Sequence, residues 1–206
     1  MIRHAAHYGP AAQGLCLAQR ILQQPEPGLD DQQAVARSLR RSPRGGWRVV
    51  ARNVQGEPSV IARVHLAVTM RVDTTLYWVV DPQLRASVAD LERQAGVAHA
   101  EAWLRAAPSR GRQLEQAHRR YAWTRWRLLA PSLQSANPTF ARAMAPGRTG
   151  VGGIERWRCD PGRPVAVKCL HAHLAQHLAE AALASGAAIT PPNPVARGTL
   201  ARLDRR

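Results

Sequence analysis

The spacing of apolar residues changes as the chain runs. Over residues 11 to 24 and again over 30 to 41 it is helical, and "PEPG" (25–28) and "SPRGG" (42–46) close the two stretches. From Trp47 the period shortens. "WRVVARN" (47–53) and "SVIARVHLAV" (59–68), parted at Glu57 and Pro58, read as strands by their β-branched content and partial alternation. "TTLYWVVD" (74–81) mixes β-branched and aromatic residues in a short apolar run and reads as a strand covered on both faces.

After Pro82 the period turns helical again. Leu84, Val88 and Leu91 recur at spacings of four and three, Pro82 suits a helix entrance, and Gly96 suits its stop. "HAEAWLRAA" (99–107) predicts a short helix, and residues 112 to 130 a long one with Leu114, Ala117, Tyr121 and Leu128 on one stripe. The last third predicts turns at "APGRTGVGG" (145–153), a strand near 154 to 158, a turn at "DPGRP" (160–164), a helix over 167 to 184 and a loop at "TPPNPVARG" (190–198). Together these elements predict an α+β domain: a small, mostly antiparallel sheet of three or four strands with helices packed on one face. Residues 1 to 46 read as a helical or partly disordered extension ahead of a single domain at 47 to 206.

Composition narrows the class. At 206 residues with 45% hydrophobic content, the chain is long enough for one domain with a real core. Three cysteines (Cys16, Cys159 and Cys169) are too few and too irregular for a disulfide framework, so a reducing, cytoplasmic setting is expected. No run approaches the roughly 18 consecutive apolar residues of a membrane span, and "LCLAQRIL" is too short and interrupted for a signal segment. The formal net charge of +15 suits polyanions, although arginines occur throughout and a solvated basic surface accounts for much of it. Nucleic acid is therefore expected to bind non-specifically. The sharpest version of that reading is the interleaving of Arg105, Arg110, Arg112, Arg119, Arg120, Arg125 and Arg127 with Trp103, Tyr121, Trp123 and Trp126, a pattern suited to single strands and equally to a helix with packed aromatics.

Lys168 stands out as the only lysine among 29 basic residues, and it directly precedes Cys169, His171 and His173. Where arginine serves everywhere else, a retained lysine points to a need for a compact ammonium, as in phosphate contact, a Schiff base or proton transfer. A helix beginning near Leu170 would set Lys168 and Cys169 at an N-terminus whose free N–H groups attract anions and lower a thiol's pKa. Cys169, His173 and His177 then follow one line at four-residue intervals. Thiolate and imidazole also suit zinc and related divalent metals, although no Cys-x-x-Cys is present. Gly150, Gly152 and Gly153 of "GVGG" could offer backbone N–H groups to an anion. Lys168, Cys169, His171 and His173 are thus the candidate catalytic residues for an anionic, phosphate-bearing small molecule, with Gly150, Gly152, Gly153, Lys168 and Asn193 as its anion-binding set. The alternative is a non-catalytic module that binds metal or nucleic acid.

"GEPSVI" (56–61), "TTLYWVVDP" (74–82), "VADLERQAGV" (88–97), "GVGG" (150–153), "VKCLHAHLAQHLA" (167–179) and "NPV" (193–195), in that order, resemble the bacterial family known as domain of unknown function 501. The resemblance spans about residues 47 to 200 and transfers a motif, not an activity. Members of that family typically carry a cysteine just before the glycine of the first motif and another before the proline of the second. This chain has Asn53 or Val54 and then Asp81. If relatives bind metal through those thiols, the resemblance leaves Asp81, Cys169 and His173 as the ligand set here, a weak one in which a carboxylate replaces a thiolate.

Overall fold

A computed structural model describes residues 9–64, 75–129, 138–155, 166–184, 189 and 191–205. Three strands, β1 (Trp47–Arg52), β2 (Pro58–Arg63) and β3 (Tyr77–Val79), form an antiparallel sheet in chain order. The β1–β2 turn is chemically specified. Asn53 Oδ1 accepts the N–H groups of Gln55 and Glu57, and Gly56 takes φ +81°, a left-handed conformation that glycine adopts without steric cost. Pairing of Val60 with Val79 and Ile61 with Trp78 sets the register of the central strand.

Eight α-helices surround the sheet among the described residues: α1 (Pro10–Gln23), α2 (Leu29–Leu39), α3 (Pro82–Arg93), α4 (Gly96–Arg105), α5 (Pro108–Leu128), α6 (Pro138–Met144), α7 (Leu170–Leu183) and α8 (Pro194–Leu203). A 3₁₀ turn occupies Val151–Gly153. The architecture is the expected α+β arrangement. The main helical layer lies on one face of the sheet, where Val60, Ala62 and Val79 meet Ala172, Ala175, Ala179 and Leu183 of α7. On the opposite face Ile61 packs with Val35 of α2, Trp47 and Val49.

Local chemistry explains several boundaries. Asp81 caps α3, its Oδ1 accepting the N–H of Leu84 at 2.9 Å, and Pro82 supplies the first residue with its φ already set. The helix predicted around 99 to 107 begins earlier, at Gly96. A β-carbon on Gly96 would lie 2.5 Å from the Leu91 carbonyl oxygen, so the tight α3–α4 corner needs a glycine. Of residues 190 to 198, expected as a loop, Pro194 to Gly198 instead form the start of α8. Asn193 caps it by accepting the Val195 and Ala196 N–H groups, and Pro194 occupies the first turn. The strand expected near 154 to 158 is absent at Ile154 and Glu155, and its remainder lies outside the described residues, as does Cys159.

The first helix belongs to the main core. Leu17, Ala18 and Ile21 are buried with Tyr121 and Leu128 of α5, and each large apolar side chain so buried contributes about 1.5–3 kcal/mol. The α1–α5 crossing is close because residue 14 is glycine: a β-carbon there would sit 2.6 Å from the Arg120 carbonyl oxygen and 2.8 Å from Trp123 Cβ.

Candidate functional site

The start of α7 joins several elements. Cys169 is its N-cap, with Sγ accepting the Ala172 N–H at 3.4 Å. Glu92 of α3 supplies a carboxylate to the same helix end, Oε1 accepting the N–H of Leu170 at 2.6 Å and of His171 at 3.3 Å. The anion attracted by this N-terminus is thus one of the chain's own side chains. Lowering of the Cys169 thiol pKa, expected from its position, does not occur. Burial disfavours the thiolate and pushes the pKa up, and the Ala172 N–H offsets this only in part.

The motif residues diverge around the helix. Lys168 Nζ donates to the Gly152 carbonyl at 2.7 Å, so the lysine and the glycine turn do meet. His171 points instead to α3, its Nδ1 3.2 Å from Glu92 Oε2 and its Nε2 3.1 Å from the Arg85 carbonyl oxygen. His173 faces the interior, fully buried, with Nδ1 3.0 Å from Asn193 Nδ2. Burial lowers the His173 pKa to about 4. His118 of α5 lies edge-on to His173, with ring centroids 5.5 Å apart, and burial holds it well below the usual histidine range.

The glycines at 150 to 153 serve packing first. A β-carbon at Gly150 would lie 2.5 Å from His118 Nδ1, and Gly152 takes φ +66° beneath the Lys168 stem. The Gly150 and Gly153 N–H groups bond to Ile154 O and Gly150 O, and the Val151 N–H to His118 Nδ1. These three donors are therefore engaged within the chain. Asp81 of the expected metal set caps α3 and accepts Asn53 Nδ2 at 3.1 Å. Among the described residues no three His, Cys, Asp or Glu side chains gather as metal ligands, so Asp81, Cys169 and His173 do not form such a cluster.

Behind this junction runs a polar chain hidden from the sequence pattern. Asn193 Nδ2 also donates to Gln176 Oε1 at 2.9 Å; Gln176 Nε2 donates to Glu180 Oε1 at 2.7 Å and to the Ala117 carbonyl. Glu180 pairs with Arg120 at 2.9 Å, both side chains almost wholly shielded from solvent, and Arg120 donates to the Pro191 carbonyl. Arg125 is also buried and donates to Thr149 through the hydroxyl and carbonyl oxygens. Of the interleaved arginine–aromatic series, Arg120, Tyr121 and Arg125 are therefore core residues, while Trp123 and Trp126 are half-buried.

The outer side of α8 is different in kind. Between α4, the start of α5 and α8 lies an open groove of about 840 Å³, within the range of ligand sites. Leu170 and Val195 form part of its apolar floor. Arg110, Arg197, Arg202 and Arg205 line it, with His99 and Trp103, and no acidic residue does among those described. Arg197, Arg202 and Arg205 make no ion pair or side-chain hydrogen bond among the described residues. Trp103 is 40% exposed, and the Arg110 guanidinium stacks 4.1 Å from its ring centroid, held by a 2.8 Å bond from Nη1 to the Trp103 carbonyl. Sequence reading isolated Trp103 and Arg110 but not their partners on α8, because a stretch taken for loop gave no reason to expect a helical face there.

A small α+β protein with a buried polar brace and a basic groove is thus defined. The chain belongs to the family described as Protein of unknown function (DUF501), whose model matches residues 49–190. No curated protein and no solved structure matches the chain. Arg197, Arg202 and Arg205 lie beyond the matched segment, as does α1. No helix among the described residues is long and apolar enough to cross a membrane.

Proposed function

We propose that this protein is a non-catalytic binding module that holds a phosphate-bearing anion in the groove between α4, α5 and α8. The observation that carries the reading is the one-sided charge of that groove: four arginines line it, and among the described residues three of them have no ion-pair or side-chain hydrogen-bond partner and no carboxylate opposes them. Unpaired guanidiniums beside an apolar floor favour a ligand that brings several acceptor oxygens and some apolar or aromatic surface.

Chemistry at Lys168, Cys169, His171 and His173 has less support. The thiol is held protonated by burial, both His171 nitrogens already face oxygens of the chain, and His173 is enclosed. The polar brace instead serves the groove, since Asn193 both bonds to His173 and caps the helix bearing Arg197 and Arg202.

Titration calorimetry with inorganic triphosphate tests this. Binding to the unmodified protein should weaken about tenfold in Arg202→Met, the loss expected for one charge-assisted contact of about 1.5 kcal/mol, and stay unchanged in Lys168→Met. The reverse ranking would return the site to the start of α7.

A further inference from the structure

The geometry points to single-stranded nucleic acid, RNA or DNA, as the occupant of the α4–α5–α8 groove, an assignment that rests on the anion-binding reading above and sharpens it. Three features favour a strand over a compact anion. First, the cations form a row. Arg197 and Arg205 are eight residues apart, roughly 12 Å along α8 and its end at 1.5 Å per residue. Arg202 lies between them, and Arg110 faces them from α5. A lone phosphate reaches one part of that row, whereas a backbone with repeated phosphates follows it.

Second, the groove contains an assembled stacking element. Trp103 is partly exposed, with the Arg110 guanidinium fixed over its ring at 4.1 Å. Indole and guanidinium planes are the surfaces on which unpaired bases stack, and bases within a duplex do not offer their faces in this way. Third, there is room beside the row. A β-carbon at Gly198, on the groove-lining face of α8, would meet nothing within 4 Å. Ala100 and Ala201, which keep some exposure, add apolar lining beside Trp103 for sugar and base edges.

With a net charge of +15, the whole protein attracts any polyanion, so the test must separate the groove from general charge. The measurement is fluorescence anisotropy with labelled strands of about twelve nucleotides, within the site sizes of single-strand binders. Oligo-dT and oligo-rU form separate arms, and a duplex of equal length and inorganic triphosphate serve as competitors. Trp103→Ala should weaken strand binding about tenfold or more, as loss of one stacked base does. Arg202→Glu should weaken it comparably and flatten the dependence of log affinity on log salt by about 0.7. Gly198→Glu, which places a carboxylate in open space, should do the same without touching the core. Arg93→Glu, an equal charge change on the exposed surface of α3, should leave affinity within about twofold.

Equal losses in Arg93→Glu and the groove variants would show diffuse attraction and overturn the assignment. So would unchanged binding in Trp103→Ala, or a duplex that competes as well as the strand. If triphosphate binds in an Arg202-dependent way while neither strand does, the nucleic-acid assignment fails and the anion-binding reading stands. If none of them binds, both fall.

Discussion

Two polar regions lie back to back across the α7–α8 layer, and they differ in who satisfies their charges. At the start of α7 most of the polar groups answer another part of the chain: Lys168 the Gly152 carbonyl, Glu92 the helix N–H groups and His171, Asn193 both His173 and Gln176, and Glu180 Arg120, while His173 Nε2 and Arg120 Nη1 are buried without a hydrogen-bond partner among the described residues. In the groove outside α8, Arg197, Arg202 and Arg205 have no such partners among the described residues, and a tryptophan stays partly exposed. The first region is rich in residue types associated with chemistry and has little capacity left for a ligand. The second is written in ordinary arginines and retains its capacity. Residue type alone ranks the start of α7 first, whereas hydrogen-bond partners, once counted, favour the groove.

The largest effect that would break this contrast concerns the brace. Glu180→Ala leaves the Arg120 guanidinium charged in the interior, and removal of one member of a buried pair costs about 3–5 kcal/mol. Urea unfolding should register that loss. A cost below about 1 kcal/mol, the size of an exposed ion pair, would mean that the pair is accessible to water and that the brace is weaker than its geometry implies.

Acid should have the next largest effect. His173 and His118 are neutral when folded, with pKa values held down by burial, whereas in the unfolded chain they take up protons near the usual 6.5. The unfolded state therefore binds more protons as pH falls, so stability is full above about 6.5 and declines below it. For His173 the decline levels off near pH 4 and amounts to up to about 3 kcal/mol. Denaturation midpoints measured at pH 7 and pH 4 check the sign, and a His173→Gln chain should show a shallower fall.

The smallest effect sharpens the other side. Gly198 lies within α8 with open space where a β-carbon would be, so Gly198→Ala should raise stability by about 0.5–1 kcal/mol through helix propensity. A destabilised Gly198→Ala chain would show that the groove face is packed against something.

Much of this fold was readable from periodicity. The two strands that pair over 47 to 63, the Pro82 helix entrance and the long helix predicted over 112 to 130 follow from β-branched runs, from the proline and from an apolar stripe. A helix over 167 to 184 was readable too, although it begins at Leu170. What was hidden is long-range. No local pattern tells that Arg120 meets Glu180 sixty residues away, or that Glu92 rather than a ligand fills the α7 N-terminus. For the same reason, the thiol shift predicted from helix position had the wrong sign: burial depends on neighbours that the local sequence does not name. The α8 miss was different, since the Asn193–Pro194 pair is a helix-start signal that the surrounding prolines obscured.

The central claim, that the ligand faces α8 and not the start of α7, is tested most directly by a backbone amide NMR titration with inorganic triphosphate and, separately, with a single strand. Progressive shifts are expected, confined to the amides of His99, Trp103, Arg110 and residues 195 to 205, with those of 150 to 153 and 168 to 173 unmoved. Shifts concentrated at Gly152, Lys168, Cys169 and His171, with α8 silent, would contradict it.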